Sequence, residues 1–151
     1  MRSKIHFLTF AAGSLRWKLA GVRLSREARR IGIFDSIRVH TDRSMLREIP
    51  DFYLDNLALR PRDTRGFGYW LWRPYVLRHA LNSAQTGDLI LFLDSGCQIN
   101  WNPTSSIRLE HYIESASEHG SLVMRTDQSL SRWCKADTLN AFGLWDRAAS
   151  L

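Results

Sequence analysis

The chain has 151 residues, 44% of them hydrophobic, and 21 Lys and Arg against 15 Asp and Glu give it a net charge of +6. That length allows one domain or a piece of a larger one, with enough apolar residues for a sizeable core. The positive balance favours an anionic partner, whether a phosphate, a nucleic acid or an acidic lipid surface, and no apolar run reaches transmembrane length.

The first residues, Met1-Arg2-Ser3-Lys4 and the apolar run after them, loosely imitate a signal peptide, but His6 and Thr9 break the run. A first strand from Ile5 to Ala11 is the better reading. Gly13 breaks the chain and Ser14 suits a helix N-cap. Trp17, Ala20, Leu24, Ala28 and Ile31 then recur at three- and four-residue steps, which marks one face of an amphipathic helix. Arg16, Lys18, Arg23, Arg26, Arg29 and Arg30 load its other sides and are expected to form a solvated surface. Gly32 suits the position just past the helix end. Ile37 to His40 reads as a second strand. Strand, helix and strand in this order predict a parallel sheet with a right-handed crossover.

Arg43 to Glu48 suits a short helix closed by Pro50, while 51–59 is ambiguous. Arg60-Pro61-Arg62-Asp63-Thr64-Arg65-Gly66 is a basic loop. Guanidinium groups offer planar, paired donors to phosphate, although a solvated connection would look the same. In Gly66-Phe67-Gly68-Tyr69-Trp70-Leu71-Trp72-Arg73-Pro74-Tyr75, two glycines permit unusual backbone angles and Pro74 suits a helix's first turn. Leu77, Ala80, Leu81 and Ala84 would share that helix's inner face, and its amino end would present Arg73 to an anion. Tyr69, Trp70, Trp72 and Tyr75 are expected to be core and helix-anchoring residues.

Leu89 to Leu93 are five consecutive apolar residues after Thr86-Gly87-Asp88, which suits a strand buried on both faces. The run stops on Asp94-Ser95-Gly96-Cys97. Ligands of open α/β sheets bind outside the carboxyl ends of the strands, where Asp94 would stand and Gly96 would allow close approach. A plain Asp-Ser-Gly turn would read alike. Ile107, Leu109, Tyr112 and Ile113 suggest a helix to about Ser117, ended by His119-Gly120, Leu122-Val123-Met124 a short strand, and Thr138 to Phe142 a short helix stopped by Gly143. Cys97 and Cys134 lack metal-motif or disulfide-framework spacing, and Cys97 is expected to be a small buried residue. Free thiols imply a reducing, cytoplasmic setting, in which attachment to the inner face of a membrane is a further option. The five histidines show no paired ligand spacing, and most are expected to be surface or half-buried.

Taken together, four ordered segments resemble a group of bacterial glycosyltransferase-like proteins. They are Gly32-Ile33-Phe34-Asp35-Ser36-Ile37, the Gly66 to Tyr75 stretch, Gly87-Asp88 with Leu93-Asp94-Ser95-Gly96-Cys97, and Trp133-Cys134-Lys135-Ala136-Asp137. The resemblance implies a nucleotide-diphospho-sugar transferase fold of the GT-A type, a Rossmann-like and mostly parallel sheet flanked by helices, as a single domain over 1–151. It implies a nucleotide-sugar donor, a saccharide acceptor and a part in surface polysaccharide synthesis. Asp94 would occupy the first position of the family's Asp-x-Asp segment and touch metal (Mg²⁺ or Mn²⁺) or a sugar hydroxyl. Gly96 stands where the second Asp would be, so one carboxylate is left for an ion that takes several oxygens. Arg65 and Arg73 would face the diphosphate, Thr9, Ala11 and Gly13 would line the nucleotide pocket, and Ser95 and Gly96 would approach the sugar. Lys135 and Asp137 would close the site. Complete transferases of this type carry a further acceptor-binding half, so the expectation is an incomplete C-terminus. No residue claims the role of general base. The other readings are an inactive remnant of such an enzyme and, more weakly, a nucleic-acid-binding domain, since the basic residues are spread and no nucleic-acid motif appears.

Overall fold

A computed structural model describes residues 3–59, 61, 64–122, 127 and 129–145. The chain divides into two compact units, Met1–Gly120 and Ser121–Leu151. In the first, β1 (Ile5–Phe10) lies between β2 (Ser36–His40) and β3 (Leu89–Phe92) in a parallel sheet of order β2-β1-β3. Phe7 of β1 stands opposite Ile37 on one side and Leu91 on the other. The helix α1 (Leu15–Ile31) connects β1 to β2. Between β2 and β3 come α2 (Asp42–Glu48), α3 (Asp51–Asp55), the single turn α4 (Gly66–Tyr69) and α5 (Trp72–Ser83). After β3 the chain forms α6 (Pro103–His119). The predicted α/β architecture, an open parallel sheet flanked by helices, is therefore present.

Alternation along β1 sends its side chains to two different layers. Leu8, Phe10 and Ala12 pack with Met45, Ile49, Phe52, Phe67, Trp72 and Val76. Phe7 packs with Leu24 and Ala28 of α1. Each large side chain buried this way contributes about 1.5–3 kcal/mol. Thr9 and Ala11 follow Phe7 onto the α1 side. There Gly21 lets the helix approach the strand, since a Cβ at Gly21 would come within 2.4 Å of the Ala11 methyl. The helix ends as expected on Gly32, with φ at 77°.

Several expectations shift. The apolar run 89–93 does meet apolar layers on both faces, through Ile90 and Phe92 on one side and Leu91 and Leu93 on the other. It is nevertheless only half-buried, because β3 lies at the edge of the described sheet. On α5 the inner face centres on Trp72 and Val76, with Leu77 and Ala80 packed against the same core as expected, while Leu81 is exposed and Ala84 lies past the helix end. His40 is sealed rather than half-buried, at 0% exposure. Cys97 is half-buried. The ambiguous 51–59 contains α3. α6 starts earlier than predicted, at a capping box of Asn102 and Ser105, and stops at His119-Gly120 as expected. Leu109, Tyr112 and Ile113 make its half-buried face, and Ile107 points to solvent. The second unit contains α7 (Leu130–Trp133) and α8 (Ala136–Ala141), with Leu139 buried. The proposed strand Leu122-Val123-Met124 lies, from 123 on, outside the described residues. Among the described residues no helix is long and apolar enough to cross a membrane.

Candidate functional site

Both β1 and β3 point their carboxyl ends at one cleft, about 640 Å³ in volume. It is bounded by Phe10 at the end of β1 with Ala12 and Gly13 just after it, and by Asp94, Ser95 and Gly96 beyond β3. Ser14 and Trp17 at the start of α1 form one wall, while Pro61, Thr64, Arg65, Gly66, Phe67, Trp70 and Trp72 form the other. This is the place where open parallel sheets bind ligands, since two strands diverge in their connections there.

Asp94 is 48% exposed at the lip of the cleft. The guanidinium of Arg73, on the first turn of α5, donates to its carboxylate at 2.6 Å. Trp72 beside it stacks on Phe10 with ring centroids 4.0 Å apart, which fixes the start of α5 against the sheet. Arg65 lies over the face of Trp70, 5.6 Å from the ring centre. The cleft thus has one guanidinium group on its wall, a carboxylate at its lip held by a second guanidinium, and partly open aromatic rings. Such a set suits an anion attached to a flat or polyhydroxylated group.

The wall that carries Trp70 has an unusual backbone. Gly66, Phe67, Gly68, Tyr69 and Trp70 all have positive φ, from 52° to 86°. Amide groups of Tyr69 and Trp70 donate to the carbonyls of Arg65 and Gly66, closing one left-handed turn. Each non-glycine residue held there costs roughly 1–2 kcal/mol. Packing and hydrogen bonds hold the turn in place. Phe67 meets Phe10 edge-on at 5.4 Å, the Gly68 N–H donates to Thr64 Oγ1 at 2.7 Å, and Trp72 Nε1 donates to the Gly66 carbonyl at 2.9 Å. As a result Tyr69 and Trp70 are 60% and 40% exposed, against the expectation that they belong to the core. Of the aromatic set only Trp72 is fully buried, and Tyr75 is half-buried with its hydroxyl on Asp55.

The loop after β3 is braced from α1. Arg23 donates to the carbonyls of Cys97 at 2.7 Å and Ser95 at 3.4 Å, and pairs with Glu27. Glu27 in turn accepts the Ile99 N–H at 2.9 Å. Burial pushes the Glu27 carboxyl up, but the Ile99 amide and the Arg23 guanidinium outweigh it and leave the group below its ordinary range. So Arg23 and Lys18, each with a side chain 42% exposed, do more than coat a solvated surface: Arg23 holds the loop and Lys18 pairs with the buried Asp42 at 3.2 Å. The i,i+4 spacing of Arg23 and Glu27 was visible in the sequence. Their hold on the loop was not, because it depends on backbone carbonyls some seventy residues away. Asp88 of the Gly87-Asp88 segment has a structural task too. It accepts the amides of Lys4 and Gln85 and contacts His6, which together lower its carboxyl to about 2.

Of the residues singled out from the sequence, Gly13, Arg65, Asp94, Ser95 and Gly96 line the cleft, and Arg73 reaches it through Asp94. Thr9 and Ala11 lie buried on the α1 side of β1 and do not line it. Lys135 and Asp137 are exposed at the start of α8 in the second unit. Arg60, Arg62 and Asp63 lie outside the described residues. Trp17, expected on the buried face of α1, is a cleft residue that the pattern missed. For a divalent ion, Asp94 is the one carboxylate among the described residues of the cleft, and Arg73 already holds it. No group of three His, Cys, Asp or Glu side chains converges among the described residues. No family model, no curated protein and no solved structure matches the chain.

Proposed function

We propose that this chain is a GT-A-like nucleotide-sugar-binding domain, and that its activity, where present, is hexosyl transfer from a nucleotide-diphosphate sugar to a saccharide or other acceptor. The observation that carries the reading is the Arg73–Asp94 pair at the lip of the cleft, with Arg65 on the same cleft's wall. Transfer builds negative charge on the leaving diphosphate. Guanidinium groups placed at that charge stabilise the transition state more than the ground state. Arg65 and Arg73 have this role, and Asp94 accepts a hydrogen bond from a sugar hydroxyl. Trp17 and Trp70 offer faces to the base or the sugar ring.

A base for the acceptor hydroxyl has no candidate among the described cleft residues, since the only carboxylate there is engaged by a guanidinium. This favours, as a second reading, a domain that binds the donor without turning it over. Thermal unfolding with a panel of UDP- and GDP-sugars, followed by assays of donor hydrolysis and transfer, separates the readings. A bound donor at a hundredfold excess over its Kd should raise the midpoint by about 5–10 °C. Binding with turnover supports the transferase, and binding alone supports the second reading. A midpoint that no nucleotide sugar moves removes both.

A further inference from the structure

Beside its buried face, α1 turns a second apolar line to solvent. Leu15, Leu19 and Val22 are 71%, 59% and 43% exposed. Their spacing of four and then three places them on one line along the helix. The line continues into Arg26, with Arg16, Arg29 and Arg30 exposed beside it. The inward face, with Gly21, Leu24, Ser25 and Ala28, lies opposite. The helix carries six cations and one carboxylate, Glu27, which amounts to five of the chain's six net positive charges. Glu27 is engaged away from that line, by Arg23 and the Ile99 amide. The outward line is therefore aliphatic at its start and cationic along its length, with no exposed acid to oppose an anionic surface.

We infer that α1 is an interfacial helix that docks this chain on an anionic lipid bilayer. Leu15, Leu19 and Val22 enter the boundary between headgroups and acyl chains. Arg16, Arg26, Arg29 and Arg30 lie at the level of the lipid phosphates, their stems along the apolar boundary. The inference does not depend on what the cleft binds.

Co-sedimentation of the full chain with phosphatidylcholine vesicles, with and without phosphatidylglycerol, tests it. The chain should pellet with the anionic vesicles only, and added salt should release it. The variant Leu15→Ser/Leu19→Ser/Val22→Ser should bind at least about tenfold more weakly. The variant Arg26→Gln/Arg29→Gln/Arg30→Gln should lose roughly a hundredfold. Both should keep the wild-type unfolding midpoint, and if the first does not, Leu15→Ser alone takes its place. Equal binding to neutral vesicles, no binding, or binding that neither variant changes overturns the inference. A dimer in solution that the aliphatic variant dissociates overturns it too, because a second copy then covers this face.

Discussion

The guanidinium of Arg73 meets the carboxylate of Asp94 at 2.6 Å, joining the first turn of α5 to the loop after β3 at the lip of the cleft. Both side chains are nearly half exposed, at 42% and 48%. Such a pair contributes only about 0–1 kcal/mol to stability. Arg73→Gln and Asp94→Asn should therefore each shift the unfolding free energy by no more than about 1 kcal/mol in urea denaturation. A much larger loss would give the pair a structural task in place of a binding one.

The brace behind the loop has the opposite balance. Glu27→Ala strands the Ile99 amide and leaves Arg23 without its carboxylate, so it should cost about 1–3 kcal/mol. Glu27 sits below its usual range when folded. Its contribution is present above its unfolded value of 4.5 and fades as pH falls through the lowered folded value. Urea titrations at neutral and acid pH should show Glu27→Ala destabilised at the first and close to wild type at the second. An equal deficit at both would show that the carboxylate's charge plays no part.

His40 supplies a separate pH limb. Burial holds its imidazole down, from 6.5 to about 4, against the pull of Glu48 at 3.8 Å, while Arg38 and His79 push it further down. The unfolded chain takes up this proton before the folded one does. Stability should thus be full above pH 6.5 and fall between 6.5 and 4, by about 3 kcal/mol in all. His40→Leu should flatten the curve in this window. The Asp88 contribution is lost lower down, as pH falls from 3.8 toward about 2, so the two limbs are distinguishable. A His40→Leu curve with the wild-type slope between pH 4 and 6.5 would contradict the assignment.

In the left-handed turn, glycines and bulky residues should respond in opposite directions. Asn tolerates positive φ better than Tyr, so Tyr69→Asn should be neutral or stabilising by up to about 1 kcal/mol. Gly68→Ala should destabilise by roughly 2 kcal/mol or more. Its φ is 86°, and the new Cβ would stand 2.7 Å from Leu59 Cδ2 and 3.4 Å from the Phe52 ring. Thermal unfolding of the two variants decides. A stable Gly68→Ala would mean that the turn relaxes to ordinary angles.

Much of the sheet was legible because its signals are local. Apolar runs gave β1 and β3, and the three- and four-residue rhythm with Gly32 gave α1 and its end. Asp94 was legible as the residue that stops an apolar run. The left-handed turn was half legible: Gly66 and Gly68 announced unusual angles, but nothing in Phe67, Tyr69 and Trp70 announced that they would follow the same hand. That choice is made by tertiary packing on Phe10 and by the hydrogen bonds of Thr64 and Trp72. Thr9 and Ala11 were placed at the cleft by strand position alone, whereas alternation turns them under α1. The tasks of Arg23 and Glu27 were hidden because their partners are backbone groups.

The most direct test is equilibrium binding of a nucleoside diphosphate, its monophosphate and its diphospho-sugar to the wild type, Arg73→Gln and Asp94→Asn. The wild type should prefer the diphosphate to the monophosphate, and Arg73→Gln should lower diphosphate affinity roughly ten- to a hundredfold while leaving the monophosphate nearly unchanged. Asp94→Asn should keep diphosphate affinity, since it leaves Arg73 free for the phosphate, and should lose the preference for the diphospho-sugar. Equal affinity for mono- and diphosphate in the wild type, or diphosphate affinity that Arg73→Gln leaves unchanged in a folded chain, would contradict the account.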